Sequence, residues 1–353
     1  MKADQRLSRN VGLIVRLVTF VLLALLIFSL IGLAHYEIIR VADLTPQAYL
    51  PIVANDFPPL TPTPFATPVF VQRYQIEYGI QLNEPYVWMP VPRYWDGNGV
   101  RQVAIQEISP TYTDWYREEN GTEIVYWENP SGVSQTFKVT FGVEIGFIEY
   151  GIDENREWPP YDTNSALYQR NITATTWVQV NHPEIQNQAS SIVGSETNPY
   201  RKARLIHHWV AQNIGYAPGP QDALSTLRNR HSDCAGRANL FVALCRASGV
   251  PARNVAGIHN PGGQTLESGS WLEGTLHTHV WAEFYLPGYG WIQVDPGDIN
   301  GFARIHEPRL VTSKGNDIYL GHGNPCGELS WFHIPYAVCQ NAYGLWLSVT
   351  QLP

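Results

Sequence analysis

A cysteine stands where a helix is predicted to begin. Residues 231–253 read HSDCAGRANLFVALCRASGVPAR, in which Asp233 is a good N-cap and Cys234 falls in the first turn. Gly249 and the proline two residues later end this helix. A thiol at a helix N-terminus faces the positive end of the macrodipole and unpaired N–H groups. We therefore expect a lowered pKa and a reactive thiolate, with the same N–H groups open to an oxyanion; a small buried cysteine is the alternative.

An imidazole and a carboxylate recur on one predicted hairpin. The strand that carries His279 alternates apolar and polar residues and turns back through Pro-Gly-Tyr-Gly. Pairing of Tyr285 with Trp291 would set the register of the returning strand. In that register His279 lies one diagonal step from Asp295, roughly 5 to 8 Å away on the same face. Glu283 shares this face but is about 13 Å from His279 along the strand, so Asp295 is the predicted partner.

A thiol, an imidazole and a carboxylate form an activated-nucleophile set. In that set Cys234 attacks an amide carbonyl, His279 transfers the proton and Asp295 orients the imidazole. Water or an amine then takes the acyl group, and the sequence leaves both acceptors open. His207 and His208 lie on a preceding predicted helix, where a surface or core position is expected more often than a place in the site. The alternative to an enzyme is a catalytically silent binding module or envelope scaffold.

Three separated segments resemble the core of the transglutaminase-like superfamily. They are DCAGRANLFVAL with its GVPAR exit, HVWAE and WIQVDP, and they fall within 198–297 in the order and spacing of that family. The resemblance implies a papain-like α/β core with Cys234 as nucleophile, His279 as base and Asp295 as orienter. This chain has Ser-Asp-Cys where the family often has Gly-Asp-Cys, and no upstream side chain matches a family oxyanion donor.

Residues 17–34 are apolar and uncharged, and they follow a basic N-terminal segment. As a helix they would span about 27 Å, close to the hydrocarbon core of a bilayer. The basic residues before them place the N-terminus in the cytoplasm and the remainder outside. We therefore expect a single-pass protein of the cell membrane with an extracytoplasmic catalytic domain. A cleaved signal peptide, and hence a secreted protein, is the alternative.

Short alternating strands separated by Gly, Pro and Asn predict an antiparallel β-sandwich ahead of the catalytic core. The expected fold class is α+β: a helix-borne cysteine packed on an antiparallel sheet, preceded by the β-sandwich domain and an N-terminal transmembrane helix. The predicted boundaries are 1–16 for the cytoplasmic N-terminus, 17–34 for the transmembrane helix, 35–70 for a Pro-rich linker, 71–155 for the sandwich, 156–310 for the catalytic core and 311–353 for a C-terminal extension.

The net charge and the positions of histidines and cysteines limit which binding partners and cofactors are expected. The net charge is −8, and no basic patch with interleaved aromatics is present, so no nucleic acid is expected. The histidines around Cys234 lack the spacing of a zinc site, and neither a metal nor another cofactor is predicted. In an exported chain Cys326 and Cys339 are free to pair as a disulfide, which leaves Cys234 as a free thiol. The expected partners are a protein or peptide substrate and the membrane.

Protease added to intact cells should release a soluble catalytic fragment that begins between Pro46 and Pro68. The Pro-rich linker is extended and lies outside the membrane in the predicted topology, so it should be cut first. N-terminal sequencing of the fragment checks this. Protection of the linker until the cells are lysed would reverse the orientation, and a mature protein that starts at His35 would establish signal cleavage.

Overall fold

Antiparallel sheets and a group of helices make up the part of the chain described by the computed structural model. The described residues are 68–92, 100–260, 265–272, 277–323, 329, 336–337, 340–341 and 344–353. They all lie in one compact unit, Leu50–Pro353. The predicted membrane span 17–34, almost all of the linker, and both Cys326 and Cys339 fall outside them. None of the described helices combines the length and apolar composition needed to cross a membrane.

The bounds of the elements are as follows. The strands are β1 (Pro68–Leu82), β2 (Tyr86–Val91), β3 (Val100–Ser109), β4 (Asp114–Arg117), β5 (Glu123–Glu128), β6 (Gln135–Glu149), β7 (Gly215–Tyr216), β8 (His231–Ser232), β9 (Ala252–His259), β10 (Gly269–Leu272), β11 (Thr278–Leu286), β12 (Gly290–Val294), β13 (Arg304–Ile305), β14 (Arg309–Lys314), β15 (Tyr336–Ala337), β16 (Gln340–Asn341) and β17 (Trp346–Leu352). The described helices are α1 (Ala166–Ile172), α2 (Pro183–Val193), α3 (Pro199–Asn213), α4 (Ala223–Asn229) and α5 (Cys234–Ala247).

The first sheet joins strands from distant parts of the chain. Its order is β10-β17-β1-β6-β13, with β3 also paired to β6. The alternation of apolar and polar residues predicts strands over 74–82 and 137–147, and β1 and β6 confirm both. Ile76 of β1 lies buried between Phe141 and Val349 of its two neighbours. A second sheet has the order β16-β15-β2-β5-β4, and its Trp127 ring lies 5.3 Å from the Phe137 ring of the first sheet. The sandwich domain and the domain boundaries stay predictions.

The helix that begins at Cys234 packs on a third sheet. That antiparallel sheet has the order β12-β11-β9-β14. Ala235 and Ala238 of α5 pack against Ala256 of β9 and Val280 of β11, and these small side chains bring helix and sheet close together. The i, i+3, i+4, i+7 spacing of Ala238, Phe241, Val242 and Cys245 predicts a single buried stripe along α5, and this prediction is wrong. Every residue from 235 to 246 is buried, because α2, α3 and α4 cover the sides that the sheet leaves open.

Polar residues begin the helices around this core. Asn198 caps α3 by accepting hydrogen bonds from two backbone N–H groups, as its place before a proline predicts. Asp222 caps α4 by accepting a hydrogen bond from the Ser225 N–H. The sequence predicts only a short turn over residues 223–227, but this segment lies in a helix of seven residues. Both helices lead the chain toward the start of α5, which Asp233 caps.

Gly236→Ala should destabilise the fold. A Cβ at this position would lie 2.0 Å from Ser232 Oγ and 2.7 Å from the Pro220 carbonyl oxygen. Alanine gains about 1 kcal/mol of helix propensity, but overpacking against backbone costs typically 1–3 kcal/mol, so we expect a net loss. Chemical denaturation measures it. Gly215→Ala is the control, since its Cβ would be no closer than 3.7 Å to any neighbour. Equal stability of the two variants would contradict the prediction.

Candidate active site

Cys234 is the first residue of α5 and is partly buried. The Asp233 Oδ1 atom accepts hydrogen bonds from the Ala235 and Gly236 N–H groups at 3.0 and 3.2 Å. Its other oxygen accepts one from Gln221 Nε2 at 2.6 Å. This cap holds the start of α5 in place. It also occupies two of the N–H groups that the sequence suggests for an oxyanion.

The chain reaches this helix through a parallel pair of short strands. Tyr216 of β7 pairs with Ser232 of β8, two residues before Cys234. The Tyr216 side chain is exposed at 70%. Partial burial, together with the negative charge of Asp233, raises the pKa of Tyr216 and keeps its phenol protonated. Tyr216 is therefore an exposed hydrogen-bond donor beside the thiol, which sequence reasoning missed because the parallel pairing is not a local pattern.

The hairpin brings His279 and Asp295 into contact. Tyr285 pairs with Trp291 in the predicted register, which confirms that step. His279 Nε2 lies 2.8 Å from Asp295 Oδ2, so Nδ1 is the ring nitrogen that this contact leaves available. The Cys234 thiol has a hydrogen bond with the backbone of Val280, the residue after His279. The helix and the hairpin therefore meet at this point.

A turn and a helix hold Asp295 from its backbone side. Its N–H donates to the Gly301 carbonyl at 2.7 Å, and its own carbonyl accepts from His207 Nε2 at 2.9 Å. A Cβ at position 301 would lie 2.8 Å from the Asp295 Cβ, so a glycine is required there. His207 is fully buried in this position, whereas His208 is exposed and contacts the Arg204 carbonyl.

Glu283 has other partners than His279. Its Oε1 accepts from Arg253 Nε at 2.6 Å, and its Oε2 lies 3.3 Å from Lys314 Nζ. All three side chains are buried. Glu283 therefore belongs to an ion cluster at the other end of the strand, as the distance along β11 predicts.

Burial controls the ionisation of Cys234. Desolvation raises the pKa of its thiol to about 11, although hydrogen bonds from the Val280 and Ala235 backbone act in the opposite direction. The sequence predicts a lowered pKa from the helix N-terminus, and this is wrong. The N–H donors at the start of α5 do lower the pKa of Cys234, but the loss of water around the sulfur raises it by more.

Of the two groups paired near the thiol, the His279 imidazole is neutral and the Asp295 carboxylate is charged. Burial lowers the pKa of His279 further than the Asp295 carboxylate raises it. Burial alone would raise the pKa of Asp295, but His279 and Arg309 outweigh it and hold that pKa well below its usual range. The resting site therefore contains a neutral thiol, a neutral imidazole and a carboxylate whose charge is balanced by Arg309, 2.7 Å from Asp295 Oδ2.

Arg309 and Glu307 are further candidate site residues that the sequence does not reveal. Arg309 contacts Asp295, and Glu307 contacts Arg309. The contact of Arg309 with Asp295 depends on the pairing of β14 with β9, between segments far apart in the chain. Among the described residues, no group of three His, Cys, Asp or Glu side chains is arranged to hold a metal ion.

The candidate site lies within the segment of the chain that matches a known protein family. Residues 186–296, which contain Cys234, His279 and Asp295, match the sequence model of the transglutaminase-like superfamily. An uncharacterised protein of Haemophilus influenzae is 29% identical over 280 residues, which cover 71% of this chain and 73% of that protein. A protein-glutamine gamma-glutamyltransferase of Pseudomonas aeruginosa is 32% identical over 123 residues, 34% of this chain. This chain spans only 17% of the Pseudomonas protein.

A solved structure shares the fold. It is described provisionally as a cysteine protease of Cytophaga hutchinsonii and is 16% identical to this chain, with a TM-score of 0.52. The similarity covers 82% of this chain and 93% of the other. The fold is thus a mixed α/β transglutaminase-like fold with antiparallel sheets.

Cys234 should carry no thiolate at neutral pH. Because its pKa is raised to about 11, the thiolate absorbance near 240 nm should be missing below about pH 9 and should develop only above it. The difference spectrum between wild type and Cys234→Ala isolates this signal, and Cys245→Ala is the control for the second thiol. A full thiolate signal at about pH 6 would contradict this prediction and indicate a thiolate–imidazolium ion pair.

Proposed function

Because residues 186–296 belong to the transglutaminase-like superfamily, we propose that this chain is a thiol-dependent enzyme that transfers the acyl group of a protein or peptide amide. One observation carries the proposal. His279, whose Nε2 lies 2.8 Å from Asp295 Oδ2, directly precedes Val280, whose backbone contacts the Cys234 thiol. A scaffold or binding module has no need for a buried imidazole and carboxylate beside a thiol.

The first half of the reaction forms a thioester. The Cys234 sulfur attacks the amide carbonyl carbon while His279 Nδ1 takes the thiol proton, so the pair reacts from its neutral form. The Cys234 N–H at the start of α5 is suited to the resulting oxyanion, since Asp233 already occupies the next two amides. The imidazolium then gives its proton to the nitrogen of the departing amine, and the carbon–nitrogen bond breaks. Asp295 stabilises the imidazolium in this step.

The second half transfers the acyl group to an acceptor. A water molecule or a primary amine loses a proton to His279 and attacks the thioester carbon, and the Cys234 thiol is regenerated. Water gives an acid and an amine gives a new amide. The local similarity to a protein-glutamine gamma-glutamyltransferase supports a glutamine side chain as the acyl donor.

The reaction takes place outside the cytoplasm in this proposal. The basic N-terminus and the apolar run at 17–34 support export of everything that follows. An uncleaved helix would leave the enzyme on the membrane, and a cleaved one would release it.

Glutamine-containing peptides, offered with and without a labelled primary amine, test the reaction. Release of ammonia in both cases with no label on the peptide would establish a hydrolase, and incorporation of the label would establish acyl transfer to amines. A thioester on Cys234, trapped by acid quenching and found by mass spectrometry, is expected in either case. The absence of both the thioester and any product across a peptide library would support the catalytically silent module.

Substitutions at the site should separate catalysis from stability. Cys234→Ala should abolish turnover, while Cys245→Ala should leave it nearly unchanged, because Cys245 is fully buried inside α5. Asp295→Asn should lower kcat by roughly 10²–10⁴-fold through the wrong imidazole tautomer. Glu283→Gln should act mainly on the melting temperature, since it disrupts the Arg253 and Lys314 ion pairs. If Glu283→Gln lowers kcat more than Asp295→Asn at matched stability, the orienting role belongs to Glu283.

A further inference from the structure

One face of the third sheet collects charged and aromatic side chains around His279. Strand pairing places His279 of β11 opposite Gly257 of β9. It also places Arg309 of β14 opposite His259, two residues along β9 and therefore on the same face. Position 257 has no room for a side chain, because a Cβ there would lie 2.0 Å from the Leu310 carbonyl oxygen. The glycine lets β14 approach β9 closely, and on the same face the His259 and His279 rings stack with centroids 4.6 Å apart.

Arg309 bridges two carboxylates through one nitrogen. Its Nη2 lies 2.7 Å from Asp295 Oδ2 and 2.7 Å from Glu307 Oε1. The guanidinium is buried and lies 5.0 Å from the centre of the Trp281 ring. Its Nε and Nη1 atoms have no hydrogen-bond partner within the described part of the chain. Arg309 therefore acts on Asp295 through its charge and a single N–H, and shares that oxygen with His279.

Glu307 closes a ring of contacts. Its Oε1 also pairs with His259 Nδ1 at 3.1 Å. Hydrogen bonds from His259 and Arg309 outweigh the effect of burial and hold the pKa of Glu307 at about 2, so it stays ionised. We call this set the His279 circuit, and its members in order of contact are His279, Asp295, Arg309, Glu307 and His259.

Resting on the function proposed above, we propose that Arg309 and Glu307 are positioning residues that set the protonation state of the Cys234–His279 pair. Arg309 shares the Asp295 oxygen with His279 and so withdraws part of the carboxylate's support from the imidazolium. Glu307 acts in the opposite sense, because its charge neutralises Arg309. The balance of the two decides how readily the thiol and the imidazole exchange their proton.

Other ionisable groups lie around His279 and the residues in contact with it, on the elements packed there. They are Cys234 and Arg237 from α5, His207 from α3 through the Asp295 carbonyl, His277 before β11, and the members of the His279 circuit. Substitutions at 307 and 309 leave all the groups outside the circuit unchanged, so opposite effects of the two substitutions report on the circuit itself.

The pH dependence of Cys234 alkylation by iodoacetamide tests this inference on the full-length chain. Neutral His279 takes the thiol proton during attack, so the rate, followed by mass spectrometry of the cysteine peptides, should first rise through an inflection below pH 6.5, where His279 loses its proton. Ionisation of the thiol itself adds a separate rise above about pH 9. Arg309→Gln should raise the His279 inflection by about one pH unit, because the imidazolium regains the whole Asp295 charge. Glu307→Gln should lower it by a smaller amount. Arg309→Lys keeps the positive charge, so its inflection should lie within a few tenths of a pH unit of the wild-type value.

A second buried arginine in the same sheet provides the matched control. Arg253 pairs with Glu283 and lies 4.0 Å from the centre of the Trp291 ring, so Arg253→Gln removes an equivalent ion pair and ring contact. This variant should lower the melting temperature and leave the inflection unchanged. The exposed pair of Arg228 with Glu184 supplies a milder control through Arg228→Gln.

Opposite shifts in Arg309→Gln and Glu307→Gln support the inference. An unchanged inflection in both, or shifts in the same direction, would overturn it. If Arg309→Gln does not fold, Glu307→Gln and Arg309→Lys decide, because an inflection that Glu307→Gln leaves in place overturns the inference. Alkylation requires no amide substrate. A failure of the proposed function would appear as amide turnover that survives Cys234→Ala, while the shifts in the inflection would remain measurable.

Discussion

The loss of water around the thiol and the imidazole is the constraint on which the rest of this structure depends. Helix α5 is covered by the sheet on one side and by helices on the others, so Cys234 is held by packing at its first turn. Asp295 is almost wholly buried as well, and His279 is mostly buried. In such surroundings each charge needs a partner. Asp295 remains ionised because both His279 and Arg309 contact it.

Two effects on Cys234 oppose each other, and their magnitudes decide the outcome. A helix N-terminus stabilises a negative charge by about 0.3–1 kcal/mol at exposed sites, which is less than one pKa unit. Desolvation shifts the pKa of buried groups by up to 3–5 units. The pKa of Cys234 is accordingly raised, to about 11. A thiol of this kind needs a base that accepts its proton during attack, and a neutral His279 is suited to that.

The third sheet contains two buried carboxylates whose partners give them different properties. Glu283 contacts Arg253 and Lys314, and burial lowers the pKa of Lys314 to about 7. Asp295 shares one oxygen between an arginine and an imidazole. Glu283 is held by these basic side chains away from His279 along β11, where it stabilises the fold. A carboxylate beside an imidazole responds to the protonation of its partner, and this makes Asp295 the member suited to chemistry.

Local patterns in the sequence determined the helix start at Asp233 and the hairpin register that brings His279 to Asp295. Caps depend on one side chain and its next few N–H groups, and register depends on alternation and a short turn. Only the tertiary structure decided that α5 is buried on every side. This burial raises the pKa of Cys234, whereas the sequence predicts that it is lowered. The tertiary structure alone also brought Arg309 to Asp295. Both outcomes arise from contacts between distant segments, whose pairing and desolvation leave no periodic signal in the sequence.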